Sequence, residues 1–362
     1  MKKIVIIANS CSGLYDFRAK LINQMLQKGY AVTAIIPYDD TVDELKKLGV
    51  KPVESFIDRR GTKIIADIHL LLNYIKIIKK EIPDLIITYT VKSNIYGGLA
   101  AQFLKIPYAA NITGLGTAFQ RDGILRILVL LLYRIALKRA KVVFFENSDN
   151  CKFLRKNHII KKKQYCILHG AGVDLELYSL LPYPKKENPI RFLFIGRIME
   201  EKGINELFEA MRCLISENQN CVLDVLGRFE EEYITIIKQY EKEGWLYYHG
   251  YQSDIRPYIE KSHCFVLPSY HEGMANTNLE NAASGRPLIV TDIPGCREAV
   301  IENVSGFLCV PQNMESLCNA MKKFINLSQS EREKMGIIGR KYMEKNFDKA
   351  TVVKKTIKAL DI

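Results

Sequence analysis

Short runs rich in Ile and Val alternate along the chain with longer stretches whose apolar residues recur every three or four positions, the pattern of parallel strands joined by crossover helices. Ile4–Ala8 reads as a strand, Phe17–Lys28 as a helix and Tyr30–Pro37 as the next strand. Leu85–Tyr89 and Val142–Glu146 read as further strands, with helices over Asp67–Lys80 and Ile124–Arg139 covering them. Between Leu180 and Pro189 three prolines and several polar residues make a poor core and a good linker. The same grammar then restarts. Arg191–Ile195, Cys221–Leu226, Cys264–Pro268 and Pro287–Thr291 read as strands, separated by helices at Ile204–Glu217, Glu230–Lys242 and Asn276–Ser284. Three more helices, Met314–Leu327, Ser330–Lys345 and Lys349–Leu360, run to the end.

The fold class expected is therefore α/β, with two Rossmann-like, doubly wound domains facing across a cleft. The amino-terminal domain is placed at 1–170, an interdomain linker at 171–190 and the carboxy-terminal domain at 191–362, with the last helices set to pack back on the first domain. A chain of 362 residues exceeds the size at which single cores stop growing, which agrees with two domains. In such sheets ligands bind beyond the carboxyl ends of the strands, so the chemistry is expected in the loops that follow them.

Composition narrows the class. At 48% hydrophobic and 25% charged residues, neither a disordered chain nor a polytopic membrane protein is described. Nine cysteines without any Cys-x-x-Cys spacing fit reduced cytosolic thiols. The opening Met1-Lys2-Lys3 and Ile4–Ala8 stop at Asn9 and Ser10, short of a signal peptide, so a cytoplasmic protein is expected. Ile124–Leu137 is too short to span about 30 Å of hydrocarbon and carries Arg126 and Arg134.

The net charge of +12 is unevenly placed. Residues 1–180 hold 28 Lys and Arg against 15 Asp and Glu, whereas 181–362 hold 24 against 25. The first domain thus faces something anionic or simply carries solvated helix faces such as Lys161 to Lys163. Ile124–Leu137, flanked by Arg121, Lys138, Arg139 and Lys141, reads either as a buried crossover helix or as a surface that docks on an anionic membrane. The basic flanks favour docking.

Two segments carry chemistry. Gly196-Arg197-Ile198-Met199-Glu200-Glu201-Lys202-Gly203 follows a strand and opens a helix, placing Arg197 and Lys202 where backbone N–H groups also point, in outline a polyphosphate site. His271-Glu272-Gly273-Met274-Ala275-Asn276-Thr277-Asn278-Leu279-Glu280 follows the strand Cys264–Pro268, with two glutamates eight positions apart straddling a helix start capped at Asn276. Carboxylates suit sugar hydroxyls, and the N–H groups of Gly273, Met274, Ala275 and Asn276 suit phosphate oxygens. His69, His158, His249 and His263 have no ligand spacing and read as structural; Tyr247-Tyr248 reads as packing beside the sheet; Cys11 and Ser12 lack an activating His–Asp pair.

Together with His169-Gly170-Ala171-Gly172-Val173-Asp174, these segments resemble the retaining glycosyltransferases of family four, which have the two-domain GT-B fold. The resemblance implies that Arg197 and Lys202 meet the diphosphate of a UDP-sugar donor, that Glu280 holds its ribose hydroxyls and that Glu272 contacts the donor sugar near the reacting carbon. It also places Gly13 and Gly196 against phosphate, Gly13 in a loop running from Ser10 to Tyr15. The stretches Thr90–Gly98 and Asn111–Gly116 resemble the branch that builds capsule, O-antigen and related glycans on undecaprenyl diphosphate. That branch contains galactosyl- and N-acetylgalactosaminyltransferases, and it puts Lys92, Asn94, Thr113 and Gly114 beside the acceptor. One departure stands out: where several members carry a catalytic His, this chain reads Ile112-Thr113-Gly114.

The expectation is thus a hexosyl- or N-acetylhexosaminyltransferase working with retention on a lipid-linked glycan, peripheral on the inner face of the cytoplasmic membrane. No cofactor, no metal and no nucleic acid is expected, since cations and a helix end meet the leaving diphosphate and no Asp-x-Asp triplet is present. Retention by same-face attack or through a covalent carboxylate intermediate stays open. A non-hydrolysing sugar-nucleotide epimerase of the same architecture, or a catalytically silent membrane-anchoring subunit, are the alternatives. The paired glutamates count against the first, and intact Arg197, Lys202, Glu272 and Glu280 against the second.

Overall fold

The computed structural model describes every residue except 59–60, 62, 117–118, 120–122, 162–163 and 186–188. Arg121, the Lys162 and Lys163 pair, and Lys186 to Asn188 of the expected linker lie outside the described residues. The chain divides into two compact units: Met1–Ala171 joined by Ala350–Ile362, and Gly172–Lys349.

The first unit is a parallel sheet of seven strands, β1 (Lys3–Ile7), β2 (Ala31–Ile36), β3 (Lys51–Glu54), β4 (Leu85–Tyr89), β5 (Tyr108–Ile112), β6 (Val142–Phe145) and β7 (Tyr165–Ile167), in the order β3-β2-β1-β4-β5-β6-β7. Successive side chains of a strand point to opposite faces. Accordingly Val5 and Ile7 join one apolar cluster with Ile86, Tyr74 and Tyr133, while Ile4 and Ile6 join another with Leu21, Ile22 and Val353. Helices Ile64–Glu81 and Ile124–Ala136 supply the first cluster; Cys11–Gln27 and the carboxy-terminal Lys349–Leu360 supply the second. The last helix is also tied down by Lys141 Nζ, which donates to the Leu360 carbonyl at 2.8 Å, and by its own Lys355, which donates to Ile167 at 2.7 Å.

The first helix begins six residues earlier than its apolar periodicity indicates. Ser10 caps it, its Oγ accepting from the Gly13 N–H at 3.0 Å, so Gly13 lies in the first helical turn and not in a loop. Cys11 is buried in that turn, and burial, with Asp39 beside it, pushes its thiol up to about 12. All nine cysteines are free thiols.

The second unit is a parallel sheet of six strands, β8 (Ile190–Ile195), β9 (Cys221–Leu226), β10 (Leu246–Tyr248), β11 (Cys264–Leu267), β12 (Leu288–Thr291) and β13 (Gly306–Cys309), in the order β10-β9-β8-β11-β12-β13. Tyr247 and Tyr248 belong to the edge strand β10 itself, where they pair in register with Asp224 and Val225, and Tyr248 packs against Phe229. His263 is buried just before β11, its Nδ1 accepting from the Arg191 N–H at 3.0 Å. The stretch from Gly172 to Lys185, expected as linker, belongs with this unit. Buried Arg286 holds it, donating to Pro182 at 2.7 Å while bonding Ile259 at 2.8 Å.

In both sheets the strand order reverses beside the first strand of the unit, between β1 and β4 and between β8 and β11. The carboxyl ends of those strands are where a doubly wound sheet opens a crevice for ligand. No described helix is long and apolar enough to cross a membrane.

Candidate active site

In the second unit, the loops after β8 and β11 are drawn together by a glycine. Gly203 has φ +70°, and a Cβ there would lie 2.1 Å from the Pro268 carbonyl oxygen, so only glycine lets the two loops touch. Tyr270 then donates its N–H to Glu201 at 2.9 Å and its hydroxyl to Glu206 at 2.6 Å. This contact carries Lys202, at the end of a short 3₁₀ turn, onto Glu272: the ammonium and the carboxylate form an ion pair, with both side chains mostly shielded from water.

A second glycine fixes the other side of the loop. Gly295, at φ +89°, would place a Cβ 2.7 Å from the Gly273 carbonyl and 2.8 Å from that of Glu272, while its own carbonyl accepts from the Ala275 N–H at 2.9 Å. The helix that follows runs Asn276–Ala283 and is capped at Ala275, one residue before the expected Asn276. Ala275 has no capping side chain; the Asn278 N–H turns back to the Ala275 carbonyl at 3.0 Å, and a helix start without a side-chain cap is one that can receive an anion. Asn276 Oδ1 and Ser269 Oγ are buried nearby without a protein hydrogen-bond partner. Buried polar atoms of that kind ordinarily find one. The sequence reading did not single out Ser269; its place directly after an apolar strand was the available signal.

Glu280 sits one turn into this helix and is half-buried. It accepts from the Tyr178 hydroxyl, and burial together with that carboxylate pushes the Tyr178 phenol well above its usual range. Tyr178 is in turn held by Arg340, whose guanidinium donates to its carbonyl at 2.6 Å and to Ala283 at 2.9 Å. Arg197 stands apart from this cluster: it is half-exposed and faces Glu230 at 3.8 Å. The structure thus joins Lys202 to Glu272 directly, places Glu280 further along the same helix and leaves Arg197 extended from the β8 loop.

In the first unit, Gly13, Lys92 and Thr113 follow β1, β4 and β5, three adjacent strands. Lys92 Nζ pairs with Asp67 Oδ1 at 2.6 Å, and Tyr96 donates to Asp67 Oδ2 at 2.8 Å. Asn94 is fully buried and its amide is occupied, accepting from Thr88 at 2.6 Å and donating to the Asn111 carbonyl at 2.8 Å. Thr113 and Gly114 are partly exposed. Two features at this sheet end were not found by sequence reasoning. Arg18 and Glu146 pair at 2.6 Å with little exposure, Arg18 lying 4.8 Å over the Tyr89 ring, and burial holds the Glu146 carboxyl up although Arg18 opposes it. Thr90, the residue after β4, has φ +76°, an uncommon conformation for a β-branched residue, and its hydroxyl is buried without a partner.

Comparison with known proteins places these observations. The model for "Glycosyl transferases group 1" matches residues 182–342 and that for "Glycosyl transferase 4-like" matches 3–147. The chain is 28% identical over 332 residues to the Campylobacter jejuni N,N'-diacetylbacillosaminyl-diphospho-undecaprenol alpha-1,3-N-acetylgalactosaminyltransferase, covering 87% of each chain. It is 27% identical over 285 residues to the Escherichia coli UDP-Gal:alpha-D-GlcNAc-diphosphoundecaprenol alpha-1,3-galactosyltransferase, covering 72% of this chain and 71% of that one. Among solved structures, Anabaena HepE in complex with UDP and glucose superposes with a TM-score of 0.81 over the full length of both chains at 15% identity, a likeness of fold.

Proposed function

Since the chain belongs to the group 1, family-four glycosyltransferases, we propose that it moves a hexose or N-acetylhexosamine, with retention, from a UDP-sugar to a glycan linked to undecaprenyl diphosphate in surface polysaccharide or glycan biosynthesis. The observation that carries the reading is the Lys202–Glu272 pair at the adjoining carboxyl ends of β8 and β11, a cation and a carboxylate poised for opposite ends of one sugar diphosphate.

In this reading Lys202 and Arg197 take the diphosphate, with the Asn276 helix start, the loop N–H groups of Gly273, Met274 and Ala275, and the backbone of Gly196 and Gly13. Glu280 takes the ribose hydroxyls and Glu272 the transferred sugar. Breaking the anomeric bond puts negative charge on the leaving nucleotide, so donors fixed beforehand at that position lower the barrier. Lys202 is such a donor once the sugar diphosphate displaces Glu272 from it, and Glu272 is then free to accept from sugar hydroxyls. Charge on the leaving group is met by these cations and N–H dipoles, and no step calls for a divalent metal. Lys92, Thr113 and Gly114 face the acceptor in the first unit, with Asn94 acting through the β4 and β5 ends that it clamps.

The first unit is proposed to rest on an anionic leaflet. Of the helix Ile124–Ala136 only Val129, Tyr133 and Ala136 are buried; Ile124, Ile127, Leu131 and Ile135 are exposed beside Arg134, Lys138 and Arg139. The purified chain, supplied in turn with each UDP-sugar and a membrane extract holding lipid-linked glycan, should add one sugar's mass to the lipid-linked product with one donor. Transfer only to soluble saccharides, or only from a different nucleotide's sugar, would replace this reading.

A further inference from the structure

The two helices that cover one face of the first sheet, Ile64–Glu81 and Ile124–Ala136, do not close on each other. Between them runs a groove of about 460 Å³ lined almost wholly by apolar side chains, among them Ile68, Leu71, Leu99, Leu128 and Leu132. That volume lies within the range of sites that enclose a small ligand. The groove is continuous with apolar residues left in solvent: Ile64 and Ile65 are 71% and 72% exposed, Ile124 and Ile127 86% and 68%. Neither helix exposes an acidic side chain, whereas Lys76, Lys79, Lys80 and Arg134 are all exposed.

The inner end of the groove differs from its walls. Lys92, Asp67 and Tyr96 line it there, and Lys92 stands three residues past the carboxyl end of β4, where the strand order reverses. The backbone at this point is unusual in two ways. Thr90 holds its positive φ with an unpartnered buried hydroxyl, and Ser93–Gly97 forms a π-helical turn, a form seen mostly as a single turn at functional sites. An apolar groove that opens among exposed apolar and basic residues and takes in a lysine fits an amphiphile with a hydrocarbon chain and an anionic head.

Building on the proposal that the acceptor is lipid-linked, we infer that this groove holds the first isoprenoid units of the acceptor's own chain, while Lys92 exchanges Asp67 for the acceptor's phosphate. The enzyme thus reads the lipid as well as the sugar, by drawing the start of the chain out of the bilayer.

The test measures binding to the full chain with UDP saturating, so that the donor site is occupied, using farnesyl diphosphate and isopentenyl diphosphate, which share a head and differ in chain length. Burial of even two further methylenes corresponds to about tenfold in affinity, so farnesyl diphosphate should bind at least that much tighter. Ile68→Trp and Leu128→Trp fill the groove from half-exposed positions. Each should abolish the chain-length preference while leaving isopentenyl diphosphate and UDP affinity unchanged, retained UDP binding showing that the variant is folded. Lys92→Ala should weaken both diphosphates equally and keep the preference. Equal binding of the two ligands by the wild type, or a preference surviving both tryptophan variants, overturns the inference, as does binding only to phosphatidylglycerol vesicles, which would leave a bilayer-docking face alone. Should the preference hold while no lipid-linked glycan accepts sugar, the groove stands and the proposed acceptor class fails.

Discussion

Glu272 and Lys202 occupy each other in the free chain, and that has a counter-intuitive consequence for donor binding. A UDP-sugar must take Lys202 away from Glu272 before its diphosphate gains the cation. The cost follows from how far the pair is shielded. Exposed pairs contribute about 0–1 kcal/mol, whereas breaking a fully buried one costs about 3–5 kcal/mol. With side chains 16% and 13% exposed, this pair lies between the two ranges, and about 1.5 kcal/mol is the competition expected, or roughly tenfold. Glu272→Gln keeps the shape and removes the charge. It should bind UDP about tenfold more tightly than the wild type by calorimetry, yet turn over about a hundredfold more slowly, because the group that meets the reacting sugar is lost. Lys202→Ala should lose about a hundredfold in UDP affinity, and in that background Glu272→Gln should change UDP binding no further. Weaker UDP binding by Glu272→Gln, or the same gain with Lys202 absent, would show that the pair is not what the diphosphate displaces.

Four further outcomes are expected. Glu280→Ala should weaken UDP binding by about tenfold in calorimetry, and Tyr178→Phe, which removes only the hydrogen bond to Glu280, should weaken it less. Transfer measured by product mass should survive a chelator; abolition by EDTA with rescue by Mg²⁺ would refute the assignment of the diphosphate charge to Lys202 and Arg197. Lys138→Glu with Arg139→Glu, both exposed, should abolish low-salt sedimentation with anionic liposomes; Lys141 is left intact because it anchors the last helix. Burial and the neighbouring Arg332, Arg286 and Arg191 push His263 from 6.5 down to about 4, so between those values the unfolded chain binds a proton that the folded one refuses. Its stabilising contribution, at most about 3 kcal/mol, is full above pH 6.5 and lost as the pH falls toward 4. Denaturant titrations of His263→Gln should show a shallower decline over that window than the wild type.

The central strands of both sheets were legible because they are covered on both faces and so read as mainly apolar runs: β1, β2, β4, β6, β8, β9, β11 and β12 all appear in that way. The strands that escaped are short or interrupted. β3 is Lys-Pro-Val-Glu at an edge, β5 is built around two alanines and an asparagine, β7 and β10 are three residues long, and β13 is Gly-Phe-Leu-Cys, opening on a glycine at the other edge. Helix starts were misplaced where a polar or small residue opens the turn, at Ser10 and at Ala275. The candidate residues Arg197, Lys202, Glu272 and Glu280 could be named from motif spacing, but which of them touch could not. Lys202 meets Glu272 only because Gly203 lets the β8 loop approach Pro268, a contact between residues 65 apart whose sole trace in the sequence is a glycine. Likewise nothing in the spelling of Thr90 announces a positive φ.

The carboxy-terminal helix decides when this protein can be finished. Most multidomain chains complete their first domain while the rest is still being made. Here the second unit is one unbroken stretch, Gly172–Lys349, whereas the first lacks Ala350–Ile362 until the second has been made. Val352, Val353, Ile357 and Leu360 close the face of the sheet that also buries Ile4, Ile6 and Leu21, and each contributes about 1.5–3 kcal/mol when buried. Of the two units, the one begun first is therefore the one completed last, and one apolar face of it stays open until Ala350–Ile362 has been made. A stop codon at position 350 would spare the unit that carries Lys202 and Glu272 and leave unclosed the one that carries the apolar groove.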